Sequence, residues 1–450
     1  MDNETSKVLL GFLRLIDFKS VFVYFSPVIS FFKNWFFILL PIFLWRPFTY
    51  FWRFWRTELF LKKESNPILL EIKIPKENLK PIKSMENVFA GIWQAFWDPP
   101  NFWEKWWDGK ICLGFQVEII SVEGDIHFYF RCPKVRRDIV EANIYSQYPD
   151  TEIRVVDDYT KTFLPTVLQT DWDLFGVDYK LAKSNPYPIK TYEDFEPSGE
   201  TISIEEKRVD PVNALFEALN KITTGEQLWL QFQMTPIAQE WAEPFLNEGK
   251  ELMNKLAKRP EKPKPKSILS EAFQILVSGP PQKEPAKVEV FPAELRLTEG
   301  EKIILKGVER KISKPAFSCS IRFILWYKRG VGQKVKLRLP FSFFGNYATQ
   351  NLNSLVPLGK TITKIYSRPP FSALDARRTF VRKRRILRRY LERMNPTFPR
   401  FENWKFGTFI LNVEEIASLI HFPGWRVSPL PAVPRAEAKK GGPPADLPIE

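Results

Sequence analysis

Histidine is almost missing from this chain: there are two, His127 and His421, in 450 residues. A histidine-based nucleophilic triad or a multi-histidine metal site needs several imidazoles that converge, so both are nearly excluded. Cysteine is scarce too, with Cys112, Cys132 and Cys319. Three thiols cannot build a disulfide framework, and they suit a reducing compartment. Glycine numbers 20 against 38 prolines, a balance that leaves few of the glycine-built loops whose amides cradle phosphate. Acidic residues are also short, 52 against 66 Lys plus Arg, a net charge of +14. That surplus favours an acidic partner: anionic lipid, nucleic acid or an acidic protein face.

What is abundant is aromatic residue, concentrated between Val21 and Trp55. This stretch predicts a membrane anchor. A crossing needs about 20 mostly apolar residues, and any such window here must take in Lys33 or Arg46. Trp35, Trp45, Tyr50, Trp52 and Trp55 form a belt of the kind that sits at headgroup level. Arg53 near the end of the stretch and Arg56, Lys62 and Lys63 after it stand against Glu58, a bias that places the bulk of the chain inside, on the cytoplasmic face of the cell inner membrane. A helix lying in the membrane plane and a buried core helix are the alternatives.

Beyond the anchor, the periodicity predicts an α+β chain of two or three ferredoxin-like modules. Between 67 and 160 the order is strand, helix, strand, strand, helix, strand, with Glu123-Gly124 as a tight hairpin. The Trp-rich loop that follows the first of these helices either packs on the fold or dips into the headgroup layer. A second α+β module spans 161–258, with Asp210-Pro211 as a helix start. A Pro/Lys-rich linker region covers 259–286. The third module, 287–405, holds a capping box at Thr298 and Glu301 and the long alternating run Ala316 to Tyr327. Residues 1–20 read as a lead-in, 21–56 as the anchor, and 406–450 as a strand, a helix and a Pro-rich tail.

The sharpest functional candidate is a helix from Ser372 to about Met394. It carries nine basic residues from Arg377 to Arg393 and one acid, Glu392. Arg377, Arg378, Arg382, Lys383, Arg384, Arg385, Arg388 and Arg389 are its candidate contacts to nucleic acid or another acidic surface, because clustered cations bind phosphate by releasing its counterions. A merely solvated face is the plain alternative. Two other motifs fail on physical grounds. SLVPLGKT at 354–361 has Ser354 where a phosphate loop has its first glycine, and Pro357 removes one of the amide donors. His127 and Cys132 lie five residues apart on one strand, about 17 Å and on opposite faces, so they cannot share a metal. No cofactor or metal site is expected.

From Phe406 the chain reads FGTFILNVEEIASLIHFPG and then turns Pro-rich, ending GGPPADLPIE. Asn412 caps a short helix with Glu415 at the reciprocal position. This segment resembles the one that precedes the motor domain in membrane-bound, conjugative-DNA-transfer ATPases similar to type IV secretion coupling proteins. The resemblance implies a non-catalytic, membrane-anchored accessory subunit that serves as a platform for a separately encoded ATPase, with Phe409, Leu411, Glu415, His421 and Phe422 as its contacts. No Walker pattern is present, so no catalytic residue carries over. A membrane-tethered protein that binds nucleic acid alone is the alternative, and DNA and further copies of the chain are candidate partners.

Overall fold

The computed structural model describes residues 18–74, 80–164, 171–195, 210–237, 239–257, 297–331, 334–366, 369, 371–393 and 407–423. The expected linker region at 259–286 and the Pro-rich tail lie outside the described residues. The chain opens with α1 (Phe18–Glu64), β1 (Pro67–Lys73), α2 (Ile82–Phe96), β2 (Phe115–Val122), β3 (Asp125–Pro133), α3 (Arg137–Gln147), β4 (Glu152–Val156) and the short α4 (Tyr159–Phe163). It continues through β5 (Trp172–Leu181), α5 (Asn213–Asn220), β6 (Glu226–Pro236), α6 (Gln239–Leu256), α7 (Glu299–Ser313), β7 (Ala316–Lys328) and α8 (Leu339–Gly345). β8 (Leu355–Pro357), α9 (Asp375–Glu392), β9 (Phe409–Asn412) and α10 (Val413–Leu419) complete it.

Local chemistry sets several boundaries. Glu123 and Gly124 both take positive φ, 55° and 104°, as a two-residue hairpin between right-twisted strands requires. Glu123 is held there because its carboxylate accepts a hydrogen bond from the Gly225 amide at 3.1 Å. Reciprocal capping boxes start α7 at Thr298 and Glu301 and α10 at Asn412 and Glu415. α2, by contrast, starts behind Pro81 with Ser84 already inside it, and α9 has no side-chain cap.

All pairings in the sheet are antiparallel, and the strands run β4-β1-β3-β2-β6-β7-β5-β8, with β9 added beside the first residues of β7. The first four strands lie in the order β4-β1-β3-β2. Read from the opposite edge, the next four repeat it as β8-β5-β7-β6. The two sets meet where β2 pairs β6 along its whole length, from Phe115 opposite Met234 to Val122 opposite Gln227.

This arrangement corrects the expected fold class of a membrane helix followed by two or three ferredoxin-like modules. Strands from all three predicted modules share one nine-stranded sheet. Alternation along a strand reports which faces are buried and is silent about its neighbours, so it cannot show where one module closes. Among the described residues, no helix is long and apolar enough to cross a membrane. In α1 the apolar run is interrupted by Pro41 and Pro47 and by Arg46, Arg53 and Arg56.

Both faces of the sheet are covered. On one, Phe89 and Ile92 of α2, Val140 of α3, Phe216 of α5, Phe343 of α8 and Ile416 of α10 pack with Phe115, Phe130, Phe232 and Phe323. On the other, Ile386, Leu387 and Tyr390 of α9 and Tyr159 of α4 cover Ile120, Tyr129, Leu174, Trp229, Ile324 and Trp326. β6 is consequently buried at every position. α1 rests on a π-helical turn, Glu104–Asp108, where Trp52 Nε1 donates to the Trp106 carbonyl at 2.8 Å. Gly109, at φ +70°, makes that approach possible, since a Cβ there would lie 2.3 Å from the Arg56 backbone.

Candidate functional site

The face beneath α9 is not uniformly apolar. Residues directly opposite one another across adjacent strands point to the same face, and one such row crosses six strands: Glu71, Tyr129, Glu118, Gln231, Arg322 and Asp178. Glu118, Gln231, Arg322 and Asp178 are buried. Gln231 Nε2 donates to Glu118 at 2.7 Å, and Gln233 Nε2 donates to Gln231 Oε1 at 2.9 Å. Such groups are retained in an interior only when hydrogen bonds and counter-charges meet them.

α9 supplies those counter-charges. Arg393, just past its end, donates from Nε to Glu118 Oε1 at 2.8 Å and from Nη1 and Nη2 to Asp158 at 2.5 and 2.8 Å. Arg389 Nη1 donates to Asp178 Oδ2 at 3.0 Å, and Arg322 Nε lies 3.1 Å from Asp178 Oδ1. Lys383 pairs with Asp173, and Arg382 Nη1 donates to the Ile362 carbonyl at 2.8 Å. The hydroxyls of Tyr159 and Tyr390 share a hydrogen bond of 2.7 Å. Gly176 on β5 admits the helix closely, because a Cβ there would be 3.0 Å from Ile386 Cδ1.

The electrostatics follow from these contacts. Burial works against the charge of Asp158, but the hydrogen bonds and charge of Arg393, with the amide and hydroxyl of Thr160, outweigh it and bring the carboxyl down to about 2. Burial likewise opposes the charge of Arg393, and Glu118 and Asp158 reverse that and hold its pKa above the ordinary arginine value. The helix is therefore bolted to the sheet by its own cations.

With that face committed, the other carries Arg377, Arg378, Arg384, Arg385 and Arg388, all exposed, with Val381 between them. Arg378 and Arg388 approach Asp375 and Glu392 at 3.9 Å each, surface pairs that hold a side chain only weakly. Of the eight predicted contacts, five thus form an outer stripe and three, Arg382, Lys383 and Arg389, serve the interior. Arg393, Glu118, Asp158, Asp178 and Arg322 were not predicted. Their signal was a charged residue on an otherwise apolar strand, as Glu118 in FQVEIISV and Arg322 in SIRFILW.

The C-terminal candidates lie inside the chain's own core. Phe409, Leu411, Glu415, His421 and Phe422 are all buried, so none offers an outer surface to an ATPase. Glu415 accepts from Lys311 Nζ at 3.1 Å and from the Ile189 amide at 2.8 Å. Burial raises the pKa of Glu415 and lowers that of Lys311. His421 bonds Asp210 at 2.8 Å, and the Phe422 ring meets Tyr148 edge-on at 4.9 Å. Of the expected interface belt, Trp45 and Trp55 are exposed, Tyr50 and Trp52 are half-buried, and the Trp35 side chain lies outside the described residues. His127 pairs with Glu71 at 2.8 Å. Among the described residues no group of His, Cys, Asp and Glu could hold a metal ion.

A family described as a domain of unknown function (DUF8128) matches residues 66–334, more than half of the chain and all of β1 to β7. The chain belongs to this family. α1 lies before the matched span, and α9 and β9 lie after it. No curated protein matches the chain. The expectation of type IV secretion, conjugation or DNA transfer by a transmembrane protein is corrected accordingly. Nothing in the description of the matching family supports type IV secretion or conjugation, and among the described residues no helix is long and apolar enough to cross a membrane.

Proposed function

We propose that the chain is a non-catalytic nucleic-acid-binding platform whose contact is the outer stripe of α9. The observation that carries this reading is the division of labour on that helix. Arg389 and Arg393 are committed to the buried carboxylates of Asp178 and Glu118 and Lys383 to the half-buried Asp173, while Arg377, Arg378, Arg384, Arg385 and Arg388 stay at the surface. An anchored helix presents these guanidiniums without having to order itself on binding, and each can meet a phosphate with paired N–H donors. The stripe has no matching device for reading base edges, so the affinity is for backbone and is independent of sequence.

The remaining reactive groups fit a binding role. Burial raises the Cys112 thiol, pushes Cys132 up to about 12 and raises Cys319 further, which leaves all three protonated and inert. Both histidines are hydrogen-bonded to carboxylates, His127 to Glu71 and His421 to Asp210.

Fluorescence anisotropy with a mixed-sequence DNA duplex, titrated at several salt concentrations, tests the proposal. Binding should weaken steeply with salt. Replacing Arg384, Arg385 and Arg388 together by Ala should lower the log–log salt slope by roughly 0.9 for each phosphate that is no longer neutralised. Binding that ignores salt, or a triple variant that binds as well as the parent, would falsify it.

A further inference from the structure

The outer face of α1 has no partner within the described fold, and its composition is specific. Leu40, Leu44, Phe48, Phe51, Trp55 and Leu59 are exposed and recur every three or four residues, which places them along one side of the helix. The stripe is about 29 Å long at ~1.5 Å per residue. Phe51 is 66% exposed and Trp45, on its flank, 64%. The opposite side of the helix is occupied, with Trp52 and Arg53 against Trp106 and Trp107. The loop those residues belong to extends the apolar surface, because Phe102 and Trp103 are each 67% exposed. Exposed Phe and Trp side chains of the described residues fall on these two segments, apart from Phe380 on α9. Scattered exposed apolar residues are ordinary, but a contiguous aromatic patch marks an interaction surface.

We infer that α1 and the 102–107 loop dock in the plane of an anionic lipid bilayer, with the stripe at the boundary between headgroups and acyl chains. Phe and Trp are suited to that depth, where an aromatic body meets lipid and a polar edge meets water. Lys62 and Lys63 are exposed at the C-terminal end of the stripe and would meet anionic headgroups, each cation near the surface adding to the attraction. A second copy of the chain fits less well. A two-fold contact through this face would bring the same basic rim onto itself. The helix is also not long and apolar enough to cross, which leaves the interfacial orientation as the one that buries the stripe.

Sedimentation of the full chain with phosphatidylcholine vesicles, with and without phosphatidylglycerol, tests this. The parent should partition onto the anionic vesicles and much less onto the neutral ones. Replacing Phe48, Phe51 and Trp55 with Ser should reduce partition roughly tenfold or more per residue. Because these side chains point outward, the thermal melt should be unchanged. Three results would each overturn the inference: no vesicle binding by the parent, binding that survives the triple Ser variant but vanishes with Arg384, Arg385 and Arg388 changed to Ala, or a parent dimer that the Ser variant turns into a non-sedimenting monomer.

Discussion

Arg393 occupies left-handed backbone, φ 46° and ψ 50°, a conformation that costs a non-glycine residue on the order of 1–3 kcal/mol. Its side chain explains the tolerance, because one guanidinium satisfies both the buried Glu118 and Asp158. Asp158 gives this a measurable pH signature. Its folded value of about 2 lies below the ordinary aspartate value of about 3.9. The ionised carboxylate therefore adds stability above about pH 4 and loses that contribution as pH falls through about 2. Asp158→Asn should cost about 1 kcal/mol at neutral pH, an amount reduced by the solvent access of the side chain. Melting temperatures of parent and variant should converge between about pH 4 and pH 2; a gap that stays constant across that range would show that the pair contributes nothing through its charge. At this scale the sequence was hardest to read. Each buried charge here has a partner far along the chain, and nothing local to Glu118 indicates that Arg393 lies over it.

At the scale of elements, legibility tracked how local the cause was. The hairpin at Glu123-Gly124 and the capping boxes at Thr298 and Asn412 are set by neighbours within a few residues, and they occur where the spacing predicts them. Ser372 has the same spacing to Asp375 yet makes no cap, because docking of the helix on β5, through Ile386 over Gly176 and Lys383 on Asp173, fixes its course instead. α1 shows the limit from the other side. Its hydrophobicity was visible, but the contact that gives it a direction comes from a loop some fifty residues on. Gly109→Ala tests that contact, because the added methyl would meet the Arg56 and Thr57 backbone within 2.6 Å in a conformation that already disfavours a side chain. The helix should separate from the 104–108 turn, with faster amide exchange of Thr57 and greater fluorescence quenching of Trp52. Unaltered exchange would mean that the helix is held by something other than this approach.

Across the whole molecule, the strands were legible and their partnership was not. The matching orders β4-β1-β3-β2 and β8-β5-β7-β6 are joined at β2 and β6, both buried along nearly their entire lengths. Separating the halves would expose that seam, so the sheet should unfold as one unit. Circular dichroism and tryptophan fluorescence should give coincident denaturant transitions, and a fragment ending at 160 should aggregate through its bare β2 edge. Two resolved transitions would show that the halves are independent after all.

The seating of β5 carries a consequence for how the protein is made. Phe175 pairs with Leu325, and Leu181 pairs with Leu355, so both neighbours of this strand are encoded far downstream of it. At roughly 5–20 residues per second, β5 leaves the ribosome several seconds or more before β7 exists. Over that interval its apolar residues Leu174, Phe175 and Val177 have no hydrogen-bonding partner in the nascent chain. The polypeptide must be sheltered or kept apart from its copies until the last strands arrive, and synthesis rate becomes a determinant of yield.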